Sequence, residues 1–550
     1  MMVKTPILIH QYGIQSVIRG NGNDNALQER KSVVERQHIT PNPTPSSRFI
    51  LSCTNTPNHH PKMTPLKAED CIPKHLNLYY NGKWHAPKDG QYRETYSPGN
   101  GHVITKVAFA GAQDAEAAIV AAHKAFPSWS AVPPIERGKI LRKAAQVLRD
   151  HALELAMLDA LNTGNPVAIM THDANSAADH LDYFAGLIPA IHGETTHLSD
   201  DSFNYTVREP LGVVARIIAS NHPLMFAAIR LSSALAVGNT VVLKSPEQAP
   251  LSALRLVELI GGLFPPGVLN VLPGGIECGK TLSTHKLVSK VTLTGSVPTG
   301  KAIQKAAADT LKLTSFELGG KNALVAYPDA DLDKLVDGII RGMNWGWCGQ
   351  SCGSTSRVFL HESHHDVVLA RVKEQVEKSF RPGNPVDSAT TMGALVSKAA
   401  QDRVLGYIAI AKGEGARLVT GGKVPTTAET QGGYFVQPTV FADVKQTMRI
   451  ANEEVFGPIL SVLKWTDEEK LFVDVNAVDY GLTGAVFTSD IKTMQTAVRK
   501  IQAGTVWVNT TSTHYFGMPF GGYKQSGIGR EDTFEEMKDM TQIKSVHIKL

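Results

Sequence analysis

Four short segments of this sequence carry side chains that could do covalent chemistry. Gly349-Gln350-Ser351-Cys352 ends on a thiol. A cysteine after such a loop can face a cavity and act as a nucleophile, because the thiolate is the reactive form. The alternative is a buried, inert thiol. Cys348, four residues earlier, is a competitor. Glu317 stands in Phe316-Glu317-Leu318-Gly319-Gly320-Lys321, where the glycines imply a Gly-lined turn and not a solvated helix end. Asn221, in Ala219-Ser220-Asn221-His222-Pro223, offers an amide that can donate to an oxyanion or merely form a turn. The fourth segment is Asn452-Glu453-Glu454-Val455-Phe456-Gly457-Pro458, and Met518 to Glu531 is a further Gly-rich stretch.

Positioning these groups requires a layered α/β fold. Leu78 to Trp84 alternates around Asn81-Gly82 and predicts a hairpin. Asp114 to Phe126 predicts a helix with Asp114 as N-cap, and Ile135 to Leu148 predicts a second helix after Pro133-Pro134. Strands are then expected at Val213–Ile218, Thr240–Leu243, Val268–Leu272 and Leu287–Leu293. Helices at Pro223–Val237, Ala249–Leu263 and near Cys278 separate them. This alternation is the signature of a parallel, doubly wound sheet, which binds nucleotides beyond the carboxyl ends of its strands. No Gly-x-Gly-x-x-Gly follows the first strand, so the cofactor geometry must differ from the usual dinucleotide turn. The turn Gly295 to Gly300 follows a strand, opens a helix and is a candidate phosphate site.

Composition narrows the class. The chain has 550 residues, 42% hydrophobic and 19% charged, which excludes overall disorder. Five cysteines at these spacings are neither a disulfide framework nor a zinc pattern, and they suit a reduced intracellular protein. The net charge of +4 is spread along the chain, so no nucleic-acid partner is expected. The most apolar stretch, Leu211 to Leu243, is broken by Arg216, Asn221, His222, Arg230 and Asn239, so no membrane span is expected. Residues 1–62 carry seven Lys/Arg, three Asp/Glu and a Pro-rich tract. They are expected to form a disordered or targeting extension, with Met63 as an alternative start. The pairs His59-His60 and His364-His365 lack further ligands at zinc spacing and are expected at solvated surface.

In their order and separation, these segments closely resemble the aldehyde dehydrogenase superfamily over residues 75 to 550. Glu317-Leu-Gly-Gly-Lys321 with Gly349-Gln-x-Cys352 is the specific pair. The resemblance implies a Rossmann-like cofactor domain, an α/β catalytic domain and a small β oligomerisation segment. It makes Cys352 the nucleophile, Glu317 the base and Asn221, with the Cys352 N–H, the oxyanion donor. It implies that Lys244 and Glu247 hold the adenine ribose, that Gly295-Ser296 and the following helix meet the pyrophosphate, and that Glu454 and Phe456 meet the nicotinamide end. A carboxylate at Glu247 favours NAD over NADP, because it repels a 2′-phosphate. No metal is implied. Glu531 matches a second carboxylate that relays protons in some relatives.

Three departures mark the substrate channel. Ser220 replaces an aromatic residue, His222 stands in place of Phe, and Arg230 in place of Lys. Trp345, Trp347, His514, Tyr515 and Phe516 are candidates to rebuild an aromatic lining. The implied activity is NAD-dependent oxidation of an aldehyde to its acid through a Cys352 thioester. The rivals are a CoA-acylating semialdehyde dehydrogenase, which would lack the base, and a catalytically silent protein on the same scaffold. The expected organisation is a cofactor domain at 70–190 and 211–319, a catalytic domain at 320–525 and an oligomerisation segment at 191–210 and 526–550. Asn204–Arg208 and Lys544–Lys549 are expected strands that pair across a subunit interface, in a homodimer or homotetramer. The expected location is the cytoplasm, or the mitochondrion if the extension is a presequence.

Overall fold

The computed structural model of the protein describes residues 66–550. The expectations for residues 1–62, for Met63 and for His59-His60 lie outside the described residues. Five parallel strands form the centre of the first sheet, in the order Leu269–Pro273, Thr240–Ser245, Val213–Ile217, Val288–Thr294 and Leu313–Glu317. Their β-branched and aliphatic residues are buried on both faces, as parallel strands covered by helices must be. The Leu78–Tyr80 and Lys83–His85 hairpin closes one edge, and the short strand Gly527–Ile528 pairs antiparallel with Glu317 at the other. Asn81 and Gly82, at φ 52° and 72°, supply the left-handed turn of that hairpin.

The second sheet has seven strands, in the order Arg417–Thr420, Thr439–Ala442, Ile459–Trp465, Arg357–His361, Ala323–Ala326, Thr483–Phe487 and Thr505–Val508. All neighbours are parallel except the first pair. The chain passes from the first sheet to the second between Glu317 and Ala323, and that crossing carries the Leu-Gly-Gly-Lys-Asn segment.

Several expectations need correction. The helix Ala112–Ser130 starts two residues before Asp114, with Gly111 as N-cap. Asp114 is its third residue, and its Oδ2 accepts from Gly111 N at 3.2 Å. Beyond Pro134–Asp150 the structure adds the helices Ala152–Thr163 and Val167–Leu187, separated by left-handed Gly164 (φ 84°). Ser202–Pro210 and Thr541–Lys549 do not wait for a second subunit. They pair with each other, antiparallel from Thr541↔Pro210 to Lys549↔Ser202, and Thr195–Thr196 completes a three-stranded sheet. His364 and His365 are buried rather than solvated, because the helix His365–Ser379 packs that end of its axis inward. Among the described residues no cluster of three or more His, Cys, Asp or Glu could hold a metal ion.

Candidate active site

Cys352 sits in an irregular loop after the short turn Trp345–Trp347. Two consecutive left-handed residues, Cys348 (φ 55°) and Gly349 (φ 66°), reverse the chain there. A side chain at Gly349 would lie 2.3 Å from the Gly457 carbonyl, so only glycine lets the loop approach the Glu454–Gly457 segment. Gln350 Oε1 accepts from Val396 N at 3.1 Å and tethers the loop on its far side. The Asn322 amide donates to the carbonyls of Cys352 (2.7 Å) and Ser354 (3.0 Å), and its Oδ1 accepts from Thr483 N at 3.0 Å. Cys348 is fully buried, and burial holds its thiol well above the usual range. Cys352 is partly open to a cavity.

Glu317 is the last residue of the strand Leu313–Glu317, not part of a turn as expected. The glycines that follow it serve another purpose. A Cβ on Gly319 would fall 2.0 Å from Glu454 Oε2, and one on Gly320 would fall 2.8 Å from the Cys352 carbonyl. Their bareness lets both segments close on the strand end. The Glu317 carboxyl lies against the Cys352 thiol, and its Oε1 is buried without a hydrogen-bond partner. Burial pushes Glu317 up to about 7, while the Cys352 thiol and the Arg230 guanidinium act the other way. The Cys352 thiol is held well above its ordinary value, first by burial and then by the Glu317 carboxylate.

Asn221 is buried, and its Nδ2 donates to the Gln350 carbonyl at 3.0 Å, two residues before Cys352. Its own carbonyl accepts from Asn165 Nδ2 at 2.9 Å. Arg230 and Glu531 form a buried ion pair beside Glu317. Burial raises Glu531 and Arg230 opposes that rise.

Of the residues expected to meet a cofactor, Lys244, Glu247, Gly295 and Ser296 lie at the carboxyl ends of first-sheet strands, and Glu454 and Phe456 lie just before the second-sheet strand Ile459–Trp465. Lys244 is buried near the end of its strand, and its Nζ donates to Ser245 O at 3.2 Å. Glu247 follows in the next turn and pairs with Arg93 at 3.1 Å. The Arg93 guanidinium in turn stacks 3.5 Å over the Phe109 ring. Gly275 lies against this group, since a Cβ there would meet Glu247 Oε1 and Phe109 at 2.6 Å. Ser296 is the exposed N-cap of the helix Val297–Ala308 and accepts from Thr299 N. Gly295 N donates to Glu317 O at 3.0 Å, so this helix start is fixed to the strand that carries the carboxylate. Glu454 Oε1 accepts from Gly320 N at 3.1 Å, and burial pushes Glu454 up to about 7. Phe456 has φ 51° and lines one small cavity with Gly320, Ser351 and Glu454. An exposed helix N-terminus at Ser296, Lys244 and Glu247 at another strand end, and Glu454 beside Gly320 suit the phosphate, ribose and nicotinamide ends of a dinucleotide.

The cavity over Cys352 measures about 360 Å³. Trp347, His514, Tyr515 and Phe516 line it as expected, and Trp507, Phe226 and Phe520 add to the aromatic wall. Trp345 does not. It is buried in the core of the second sheet, because its turn directs it inward against Phe380. The helix Val167–Leu187 contributes Asp173 and His180 to the cavity. Asn322, Asn165 and Asp173 escaped the sequence reading. For Asn322 the only signal is its place directly after Gly-Gly-Lys; the other two lie in a region read without structure.

A model of the aldehyde dehydrogenase family matches residues 84–546. The aldehyde dehydrogenase tropH of Talaromyces stipitatus is 56% identical, covering 89% of this chain and 96% of that protein. A betaine aldehyde dehydrogenase of Mesorhizobium japonicum is 42% identical, covering 86% of this chain and 96% of that one. Among solved structures, an NAD⁺ complex of an aldehyde dehydrogenase from Bacillus cereus superposes with a TM-score of 0.85. It is 38% identical, over 89% of this chain and 99% of that chain.

Proposed function

The chain belongs to the aldehyde dehydrogenase family, and from that premise we propose that Cys352, Glu317 and Asn221 carry its reaction. The protein is an oxidoreductase that uses NAD to oxidise a small aldehyde to the carboxylic acid. In our reading Cys352 gives its proton to Glu317 and adds to the aldehyde carbon, forming a thiohemiacetal. The free N–H of the Asn221 amide and the Cys352 backbone N–H donate to the oxyanion. NAD, when bound, accepts the hydride that leaves this carbon, and the product on Cys352 is a thioester. Glu317 releases the proton it took from Cys352 to solvent and then takes a proton from water; the hydroxide adds to the thioester, the C–S bond breaks to free the acid, and Glu317 returns its proton to the sulfur as the thiol re-forms. Lys244 and Glu247 hold the adenine ribose, Gly295 and Ser296 the pyrophosphate, and Glu454 and Phe456 the nicotinamide side.

The observation that carries this assignment is the Glu317 Oε1, buried and without a partner beside the Cys352 thiol. A buried carboxylate left short of hydrogen bonds is costly unless something arrives to use it. Here a proton or a water does. The same carboxylate argues against transfer to coenzyme A, which needs no base to activate water. A silent scaffold has no physical reason to retain it.

The test follows absorbance of NADH with NAD and an aldehyde panel that includes betaine aldehyde, with and without coenzyme A. NADH formed without coenzyme A supports the assignment. Strict dependence on coenzyme A overturns hydrolysis, and binding of NAD without reduction by any aldehyde overturns the catalytic reading.

The wider organisation belongs to the same proposal. The cofactor part is 70–190 and 211–319, the catalytic part 320–525, and the oligomerisation segment 191–210 and 526–550. The assembly is a homodimer or homotetramer. Cys71, Cys278, Cys348 and Cys352 are all free, which supports a reducing compartment such as the cytoplasm.

A further inference from the structure

His222 follows Asn221 directly and lines the cavity above Cys352. Its Nδ1 lies 2.7 Å from Asp173 Oδ2, and the Asp173 side chain is only 2% exposed. The Asp173 carboxylate has no other hydrogen-bond partner among the described residues. A carboxylate can only accept, so Nδ1 carries the proton, and in the neutral ring Nε2 is left as an acceptor. Nε2 has no partner among the described residues, yet it is not one of the polar atoms sealed off from solvent. It is therefore a fixed acceptor open to the substrate cavity. Trp347 and Phe226 flank the ring, with centroids at 5.5 and 5.3 Å. Trp507 and Phe520 belong to the same cavity wall. Walls of this kind suit a flat ring, since aromatic pairs stack or meet edge to face. A cavity that is mostly apolar with one directed polar group selects an apolar ligand with one matching polar group.

We propose that His222, held by the positioning residue Asp173, is a specificity determinant that accepts a hydrogen bond from a hydroxyl on an aromatic aldehyde. This rests on the oxidation of aldehydes at Cys352 and names the substrate class of that site. An aliphatic aldehyde leaves the acceptor unpaired in the closed cavity. An ether in place of the hydroxyl brings one acceptor against another.

The test compares kcat/KM, with NAD, for benzaldehyde, its three monohydroxy isomers and the matching methoxy compounds. The methoxy series controls for the electronic effect of oxygen on the carbonyl. In the unaltered protein at least one hydroxy isomer should exceed both benzaldehyde and its methoxy counterpart by roughly 10-fold, the value of one well-placed hydrogen bond. In His222→Phe the hydroxy-to-methoxy ratio should fall toward one. Asp173→Asn is the more informative variant, because an Asn amide donates to Nδ1 and moves the ring proton to Nε2. Nε2–H then donates to either oxygen, so the hydroxy-to-methoxy ratio should fall toward one. A purely structural role for Asp173 would lower all rates together and leave the ratio alone. Equal kcat/KM for hydroxy and methoxy compounds in the unaltered protein overturns the proposal even if neither variant folds. So does a ratio unchanged in either folded variant. Failure to reduce NAD with any aldehyde is a different outcome: it removes the catalytic assignment, and this inference with it.

Discussion

Glu317 meets two conflicting demands: it must be ionised to activate water, and it is buried where ionisation is unfavourable. Its ordinary value of 4.5 becomes about 7, so near neutrality it exchanges protons readily in both directions. The hydrolytic half of the reaction needs the carboxylate, and its rate should therefore rise with pH through about 7 and level off above. Glu317→Gln should lose roughly 100-fold or more in steady-state turnover and lose this pH dependence. A single-turnover burst of NADH should remain in that variant but form more slowly, because Cys352 must then give its proton to solvent. Full steady-state turnover in Glu317→Gln would remove the residue from the mechanism. Stability carries the opposite sign. Between pH 4.5 and 7 the folded chain keeps a proton that the unfolded chain has lost, so stability falls across that window and stays lower above it. Glu317→Gln does not titrate. Relative to the parent it should gain on the order of 1–3 kcal/mol between pH 4 and pH 8, read as a change in the Tm difference.

At the scale of the element, the Cys352 loop has no regular backbone pairing and depends on side chains for its shape. Asn322 donates to two of its carbonyls and joins them to Thr483 N on the neighbouring strand; Ser354 O accepts from Ser356 N as well, so the Cys352 carbonyl is the one that depends on Asn322. Asn322→Ala leaves that carbonyl unpaired, at about 1–3 kcal/mol. It should lower both Tm and kcat, the latter by roughly 10–100-fold because the nucleophile is no longer held in place, while NAD affinity changes little in a titration of intrinsic fluorescence. An unchanged kcat would show that the loop holds itself. This dependence also explains what the sequence reveals. The strands Val213–Ile217 and Thr240–Ser245 are runs rich in β-branched residues between turn formers, so their existence follows from residue pattern, while their order in the sheet does not. Cys352, Glu317 and Asn221 stand out because glycines and a proline surround them. Asp173 and Asn322 carry no such punctuation. Each is an ordinary polar residue until the fold brings it to a partner 49 or 30 positions away. The Val167–Leu187 helix escapes for a related reason: Thr171, His172, Asp173 and Asn175 blur its apolar stripe, because part of its polar face turns to the cavity instead of solvent.

For the whole molecule, the pairing of Ser202–Pro210 with Thr541–Lys549 changes how assembly is expected to work. The two strands are already joined, so what a partner meets is a finished ribbon rather than a lone edge. The outer edge of Thr541–Lys549 and exposed Ile543 and Ile548 remain without a neighbour among the described residues. Sedimentation velocity at micromolar concentration should show a dimer or tetramer, and a monomer alone would refute the assembly. Removing 541–550 should leave Ser202–Pro210 without its long partner and yield aggregated or monomeric protein.

The path of the chain through the first sheet also separates the two halves of the site in sequence. Leu318 N donates to Ser526 O at 2.9 Å, and Ser526 Oγ donates to Gly319 O at 2.7 Å, across a separation of 207 residues. The strand that carries Glu317 is thus completed from beyond the whole second sheet, where Gly527 and Ile528 pair with Glu317 and Phe316. A proteolytic cut before Ser526 therefore strikes the surroundings of the base and leaves the Cys352 loop uncut. The nicked protein should lose turnover while its thiol still reacts with an alkylating reagent.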